Sequence, residues 1–173
     1  MSIPDPSLVL LIGAAGSGKT TLANRLFASD EILSSDALRA ELSGDPGDQS
    51  VSRAAFSLLH ARAAARLGSG LLTVIDATNV DRHARAALLA IARRSGVPAV
   101  AIVLDLPDAV VLERNRQRTE RVVPDSVVRR QHNRLRASLD EGRIDREGFD
   151  RVVRLVDPAD VDRMLIRRRP PLR

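Results

Sequence analysis

The segment Gly13–Thr20 constrains the fold more than any other part of this sequence. It reads Gly-Ala-Ala-Gly-Ser-Gly-Lys-Thr, a complete match to the phosphate-binding loop pattern G-x-x-x-x-G-K-[ST]. The apolar run Leu8–Ile12 precedes it and is typical of a strand buried on both faces. An amphipathic helical pattern follows over Lys19–Ala28. Because strand, loop and helix in this order direct helix N-terminal amides at an anion, the sequence predicts binding of a nucleoside triphosphate.

Lys19 is the single lysine among 27 basic residues, and all the others are arginine. A compact ammonium can enter a nest of backbone amides beside a β- or γ-phosphate, whereas a planar guanidinium fits poorly there. This favours a functional loop over a glycine-rich turn with a stray lysine. The hydroxyl of Thr20 is predicted to bind Mg²⁺, with Mn²⁺ as an alternative ion. The predicted ATP contacts in this segment are Gly13, Ala14, Ala15, Gly16, Ser17, Gly18, Lys19, Thr20 and Thr21.

Length and composition predict one domain over residues 1–166, followed by an Arg/Pro-rich tail or linker at 167–173. Cysteine is absent, which excludes a disulfide scaffold and a thiolate metal site. No apolar run has membrane-spanning length and no signal peptide is recognisable, so we expect a cytoplasmic protein without a membrane partner. The net charge of +5 suits a polyanionic partner. Coding bias also enriches arginine, so charge alone does little to identify nucleic acid.

Strand-like and helical patterns alternate along the chain. The predicted strands are Leu8–Ile12, Glu31–Ser34, Leu71–Asp76, Ala99–Asp105 and Arg151–Val156. The predicted helices are Lys19–Ala28, Ser50–Leu67, Arg82–Ser95, Asp108–Arg118 and Asp125–Glu141. Such alternation predicts an α/β fold with a mostly parallel five-stranded sheet and helices on both faces.

Asp36 is the candidate general base for phosphoryl transfer. It directly follows a predicted strand, and ligands of open α/β sheets bind outside the carboxyl ends of strands. Arg39 lies three residues later, on the same face if a helix begins at Asp36. There it can grip a phosphate of the acceptor and hold the acceptor hydroxyl in line. The alternative is that Asp36 only caps the helix.

Asp76 ends a predicted strand that resembles a Walker B strand. Its expected task is to hold a magnesium-bound water near Thr20. Thr78 and Asn79 follow and are expected to reach the substrate cleft, with Asn79 as a substrate-binding residue. The alternative for Asn79 is a turn-forming role before the next helix.

Arginines at positions 114, 118 and 121 have helical i, i+4, i+7 spacing. Like charges stacked on one face destabilise an isolated helix, so an anion should compensate them. Arg114, Arg118 and Arg121 are therefore predicted to bind ATP phosphates from an Arg-rich helical lid, with Arg118 as a catalytic residue. The alternative is a solvated basic face.

With these residues in place, the sequence resembles the 5′-hydroxyl polynucleotide kinase domain of bacterial polynucleotide kinase-phosphatase, a P-loop phosphotransferase family. The resemblance covers nearly the whole chain. Its motifs, in order, are Gly13–Thr20, Ser34–Asp36 with Arg39, Gly47–Ser50, Asp76–Asn79, Glu113–Arg121 and Arg146–Phe149.

The resemblance implies a P-loop kinase fold and transfer of the ATP γ-phosphate to the 5′-hydroxyl end of RNA or DNA in end healing. It implies that Lys19 and Thr20 serve ATP and the metal, and that Arg118 is the lid arginine. On the acceptor side it implies that Asp36 is the base, Arg39 contacts the acceptor phosphate and Gln49 reaches the terminal nucleotide. Catalytic roles thus fall on Lys19, Asp36, Arg39 and Arg118.

Two features depart from that family. Thr20 stands where serine is expected, although both hydroxyls bind magnesium. The phosphatase and adenylyltransferase parts of such enzymes are missing, so the resemblance implies either a domain excised from a longer enzyme or a stand-alone relative. Further repair domains are expected in the same chain or in a separate partner. Two other functions stay open: a small-molecule kinase acting on a sugar acid or similar metabolite, and a nucleotide-dependent binding module.

Overall fold

The computed structural model describes residues 1–119 and 121–170. Its strands are β1 (Ser2–Pro4), β2 (Leu8–Ile12), β3 (Ile32–Ser34), β4 (Thr73–Asp76), β5 (Ala99–Leu104), β6 (Arg151–Leu155) and β7 (Arg167–Arg169). Its α-helices are α1 (Lys19–Leu26), α2 (Ser35–Ser43), α3 (Ser52–Gly68), α4 (Arg82–Arg94), α5 (Asp108–Arg116), α6 (Asp125–Asp140) and α7 (Pro158–Arg163). Short 3₁₀ turns cover Ser29–Glu31 and Ile144–Arg146.

Five strands form one parallel sheet in the order β3-β4-β2-β5-β6. This confirms the predicted α/β fold class. Strand β2 is central, and all five of its residues are buried, as its continuous apolar run predicted. Because β2 is flanked by β4, which in turn pairs with β3, the carboxyl ends of these three strands lie side by side. The segments that follow them meet at this edge of the sheet.

Apolar residues of the central strand pack alternately into two cores, one on each face of the sheet. Val9 and Leu11 share a cluster with Leu22 of α1. Leu8 and Leu10 face the other cluster, together with Leu59 of α3 and Leu88 of α4. This two-residue alternation fixes the register of the sheet. It also packs α1 against β2, so both ends of the loop between them are held in place. No helix within the described residues combines the length and apolarity needed to cross a membrane.

The chain after α7 differs from the linker that composition predicted at 167–173. Arg167–Arg169 forms β7, which pairs in parallel with β1 at the start of the chain. The guanidinium of Arg168 donates to both carboxylate oxygens of Glu31, at 2.6 and 2.7 Å. A three-residue arginine run has no apolar alternation, so its strand pairing is invisible in the sequence. Residues 171–173 of the expected tail lie outside the described residues.

Candidate active site

A cleft of about 440 Å³ opens at the carboxyl edge of the sheet. Its walls come from the loop after β2, the first turn of α2, the end of β4 and the segment after α5. Most of the residues predicted from the sequence line it: Ala15, Gly16, Gly18, Lys19, Thr20, Thr21, Asp36, Arg39, Gln49, Asp76, Arg114, Arg118 and Arg121. The structure therefore brings donor-side and acceptor-side candidates into one cavity.

Two glycines give the loop between β2 and α1 its shape. Gly16 and Gly18 have φ angles of +86° and +93°, which L side chains rarely adopt. A Cβ atom at Gly16 would also lie 2.3 Å from the carbonyl oxygen of Val111. Gly18 caps α1 without a side-chain hydrogen bond, so the first amides of the helix face the cleft and are available to an anion.

Lys19 is buried and its ammonium is held by the loop itself. Nζ donates to the carbonyl oxygens of Gly13 and Ala14, both at 2.9 Å. Burial lowers the pKa of Lys19 to about 8, and the negative charge of Asp76 opposes that shift. Gly13 and Ala14 thus support the lysine from behind the loop instead of lining the cavity. Ser17 is likewise fully buried there.

Thr20 and Asp76 lie beside this ammonium. The Thr20 hydroxyl donates to Oδ2 of Asp76 at 2.8 Å. Burial raises the pKa of Asp76, while Lys19 and the Thr20 hydrogen bond act in the opposite direction. A hydroxyl and a carboxylate are oxygen ligands of the kind that magnesium prefers. Within the described residues, no group of three or more His, Cys, Asp or Glu side chains is placed to hold a metal. Thr20 and Asp76 would supply two oxygen ligands of a magnesium ion, and phosphate oxygens and water would supply the others.

Asp36 lies in the first turn of α2, where Ser34 takes the capping role. The Ser34 side chain accepts a hydrogen bond from the amide of Ala37 at 3.4 Å. The capping alternative for Asp36 is therefore wrong. Its carboxylate instead contacts the guanidinium of Arg39, which is 5% exposed and also donates through Nε to the carbonyl oxygen of Pro46 at 2.8 Å.

The three lid arginines do not share a helix face, because α5 ends at Arg116. Asn115, fully buried just before that end, binds both backbone groups of Val123 and so fixes the return of the chain toward α6. The arginines are consequently spread across the cleft. A Cβ atom at Gly18 would lie 3.6 Å from Nη1 of Arg114.

Arg118 lies close enough to Lys19 for its charge to contribute to the lowered pKa of that lysine. Its charge also acts on the carboxyl of Asp76, where it opposes the rise in pKa that burial causes. Arg121 reaches the opposite wall, where its Nη1 is 3.1 Å from Oδ1 of Asp36. Arg114 and Arg118 therefore belong to the P-loop side of the cleft, and Arg121 contacts the side of Asp36.

Asn79 is not part of the cavity wall. It has a φ of +50°, is 3% exposed and donates through Nδ2 to the carbonyl oxygen of Leu11 at 2.8 Å. The preceding residue, Thr78, lines the cleft and accepts a hydrogen bond from the amide of Gly13 at 3.0 Å. The substrate-binding role predicted for Asn79 is therefore not supported by its position. The turn-forming alternative describes it better, because the residue ties the end of β4 to β2.

Sequence reasoning missed several residues of the cleft. Gln131 of α6 accepts a hydrogen bond from the amide of Ala15 through Oε1 at 2.9 Å. Its signal is periodicity, since it lies on the same helix face as the buried Val128 and Leu135. Phe56 of α3 also lines the cavity. Arg25 and Asp162 also line the cavity, and no pattern in the sequence marks them.

The geometry of the loop and its neighbours agrees with a comparison of sequences. The model of a family described as an AAA domain matches residues 8–142. The chain belongs to this AAA domain family. The matched residues begin at β2 and include the P-loop, both walls of the cleft and all of α6, so this member has a P-loop kinase-type domain. No curated protein matches the chain by sequence.

Solved structures with the same fold include kinases of different kinds. A chain of the Pnkp1/Rnl/Hen1 RNA repair complex matches with a TM-score of 0.69 at 21% identity, over 80% of this chain and 47% of that one. A gluconokinase from Sinorhizobium meliloti 1021 matches with 0.59 at 21% identity, over 92% and 87%. A sugar kinase from Janibacter sp. HTCC2649 matches with 0.60 at 24% identity, over 90% and 90%. This AAA domain chain thus spans about half the length of the RNA repair protein.

Proposed function

We propose that this chain is an ATP-dependent polynucleotide 5′-hydroxyl kinase that transfers the γ-phosphate to 5′-OH ends of RNA or DNA. The observation that carries the proposal is the placement of Asp36. Its carboxylate shares a cleft with the P-loop and is close enough for its charge to act on the pKa of Lys19. A base in that position serves an acceptor hydroxyl, which a nucleotide switch does not need.

On the donor side, the P-loop amides and Lys19 hold the β- and γ-phosphates of ATP. Arg118 neutralises charge that develops on the transferring group. Thr20 and Asp76 would hold magnesium, which would supply further neutralisation of the phosphate charge. On the acceptor side, Asp36 accepts the proton of the attacking hydroxyl.

A buried guanidinium supports an anionic acceptor. Arg39 is almost fully enclosed and pairs with the Asp36 carboxylate, and its planar guanidinium can pair with a second oxyanion as well. The phosphodiester that follows a 5′-terminal nucleoside is a suitable partner because it lies one sugar away from the 5′-hydroxyl. Gln49 also lines the cleft, and in this proposal it contacts the terminal nucleotide. The protein in the RNA repair complex is about twice as long as the matched segment, so we extend the proposal to partner domains that supply other repair steps.

A second candidate is a small-molecule kinase that acts on a sugar acid. The gluconokinase and sugar kinase named above match this chain over most of their own length, unlike the repair protein. A carboxylate would pair with Arg39 as a phosphate does. The two candidates share the donor side and differ in the size of the acceptor.

The deciding experiment is transfer of label from γ-labelled ATP to 5′-OH oligonucleotides of RNA and DNA. The same strands carrying a 5′-phosphate and a panel of sugar acids serve as controls, and Asp36→Asn serves as the matched inactive variant. Label on 5′-OH strands alone supports the polynucleotide kinase. Label on a sugar acid alone replaces it with the second candidate. ATP binding without transfer to any acceptor contradicts both.

A further inference from the structure

We propose that Arg121 is an acceptor-binding residue and that, together with Arg39, it forms an anion site which the carboxylate of Asp36 occupies in the free protein. An anionic group next to the acceptor hydroxyl replaces Asp36 at this site and thereby frees the base. The inference rests on the proposed function, because it assumes that Asp36 accepts the proton of the acceptor. It names the substrate class more closely: a hydroxyl with a neighbouring phosphate or carboxylate.

The first observation is that two guanidinium groups share the same two partners. Nη1 of Arg121 lies 3.1 Å from Oδ1 of Asp36, and the guanidinium of Arg39 contacts that same oxygen. Arg39 also donates to the carbonyl oxygen of Pro46 at 2.8 Å, and Arg121 approaches that carbonyl at 3.5 Å. The two side chains therefore converge on one point of the cleft, from α2 and from the segment after α5.

The second observation is the separation of Arg121 from the other lid arginines. Arg114 lies against Gly18, and Arg118 lines the cleft together with Lys19 and Asp76. Arg121 contacts the Asp36 carboxylate and the loop that contains Pro46. The three arginines are thus divided between the two substrates, two for the donor and one for the acceptor.

The charge balance of this cluster calls for another anion. Two guanidiniums face one carboxylate, which leaves one positive charge in excess. Arg39 is buried, and the side chain of Arg121 is 25% exposed, so solvent compensates this charge only in part. A phosphate or carboxylate that enters the cleft can pair with both guanidiniums and satisfy the excess.

The same contacts explain why Asp36 needs to be released. Oδ1 of Asp36 is already engaged by two guanidiniums, so it is not free to accept a hydrogen bond from an incoming hydroxyl. When the acceptor anion takes over Arg121, Asp36 accepts the proton of the hydroxyl. The hydroxyl oxygen then bonds to the γ-phosphorus, and the bond from that phosphorus to the bridging oxygen breaks. ADP leaves with the bonding electron pair.

Contact with Pro46 also makes Arg121 a link between the lid segment and the loop after α2. A Cβ atom at Gly47 would lie 3.7 Å from Nε of Arg121, so the side chain runs along this loop. An acceptor that engages Arg121 is therefore enclosed between the two segments, which excludes water from the attacking hydroxyl.

The test compares Arg121→Gln with Arg114→Gln, a matched loss of one lid charge on the donor side. Steady-state kinetics are measured for ATP, for a nucleoside 3′-phosphate and for the uncharged nucleoside. For Arg121→Gln we expect the KM of the 3′-phosphate acceptor to rise about tenfold or more, with the KM of ATP and the kcat/KM of the uncharged nucleoside changed much less. For Arg114→Gln we expect the larger change in the KM of ATP.

A rise in the KM of ATP for Arg121→Gln, or an equal loss for charged and uncharged acceptors, would overturn the assignment. Circular dichroism and ATP binding verify that Arg121→Gln folds. If Arg121→Gln does not fold, Arg121→Lys takes its place and should retain part of the acceptor affinity. If the wild type labels a sugar acid only, the polynucleotide proposal fails but the Arg121 assignment is still open to test. The Arg121 comparison is then repeated with that acid and its neutral parent sugar, and an anion-specific loss of about tenfold retains the assignment.

If the wild type labels none of these acceptors, equilibrium binding replaces turnover. Calorimetric titration of the nucleoside 3′-phosphate into the wild type and into Arg121→Gln tests the anion site without requiring chemistry. Weaker binding to the variant supports the assignment even though the kinase function has failed. Equal binding overturns it.

Discussion

The two walls of the cleft are built in different ways. The donor wall is built on consecutive residues between β2 and α1, where Gly16 and Gly18 shape the backbone and carbonyls of the same loop hold Lys19. Arg114 and Arg118 add positive charge to this wall from the end of α5 and the segment after it. The acceptor wall is assembled from side chains that are far apart in sequence, such as Asp36 and Arg121. A local wall is rigid and general, whereas an assembled wall depends on each contributing segment.

This difference separates common chemistry from specificity. Backbone amides at a helix N-terminus recognise any phosphate chain, so the donor wall suits every member of the fold. The acceptor wall determines which hydroxyl is brought to the γ-phosphate, and it can change with one arginine or one loop. The same fold accordingly includes an RNA repair protein and sugar kinases.

Replacement of the base should have the largest effect and should be confined to the acceptor wall. We expect Asp36→Asn to reduce kcat by about 10²- to 10⁴-fold because the amide cannot accept the hydroxyl proton. ATP binding should remain near that of the wild type, as measured by calorimetry. Loss of ATP binding together with turnover would show that the two walls are not independent.

Replacement of Lys19 tests the donor wall. We expect Lys19→Ala to lower kcat by about 10²- to 10³-fold, the range for removal of one preorganised donor. Lys19→Arg should fail as well, although it keeps the charge, because a buried position supported by two carbonyls leaves no room for a planar fork. Substantial activity in the arginine variant would mean that charge alone, without close packing, suffices there.

What could be predicted from the sequence follows the same division. The P-loop, β2 and the sheet were predictable because hydrophobic periodicity and glycine positions are local signals. The contact between Arg121 and Asp36 was not predicted, because the helical spacing that grouped Arg121 with Arg114 and Arg118 was extended beyond Arg116, where α5 ends. The chain turns away from the helix at this point, where the side chain of Asn115 forms two hydrogen bonds with the backbone of Val123.

Asn79 and Gln131 illustrate the same limit. In the sequence, an asparagine after a strand looks the same whether its side chain faces a ligand or the protein. The same is true of a glutamine on a helix. Asn79 lies against the backbone of β2, and Gln131 binds the P-loop from α6. Only the packing of distant elements decides between these outcomes.

Two glycines with similar backbone angles differ in their surroundings. Gly16 and Gly44 have φ angles of +86° and +80°, but a Cβ atom at Gly44 has nothing within 4 Å. We expect Gly44→Ala to cost about 1–2 kcal/mol of unfolding free energy from backbone strain alone. Gly16→Ala should cost more and should also weaken ATP binding, because its Cβ lies 2.3 Å from the Val111 carbonyl oxygen. Equal losses in chemical unfolding would indicate that the loop can shift.

The smallest expected effect is a pH dependence confined to the donor wall. Burial lowers the pKa of Lys19 in the nucleotide-free protein to about 8, from 10.5. Between these two values the unfolded chain holds a proton that the folded chain has lost, so the free energy of unfolding should rise with pH. Below pH 8 both states are charged, and Lys19 contributes no slope.

ATP binding should show the opposite trend across the same pH range, because the triphosphate requires the ammonium form of Lys19. Above pH 8 the free protein must take up a proton when it binds ATP, so the Kd should rise by up to about tenfold per pH unit. Paired titrations at pH 7, 8 and 9 with wild type and Lys19→Ala isolate this slope, since the variant lacks the group. An identical pH slope in both proteins would assign the titration elsewhere. A slope in the wild type alone would identify Lys19 as the charge on which the donor wall depends, while the acceptor wall relies on arginines that keep their charge throughout this range.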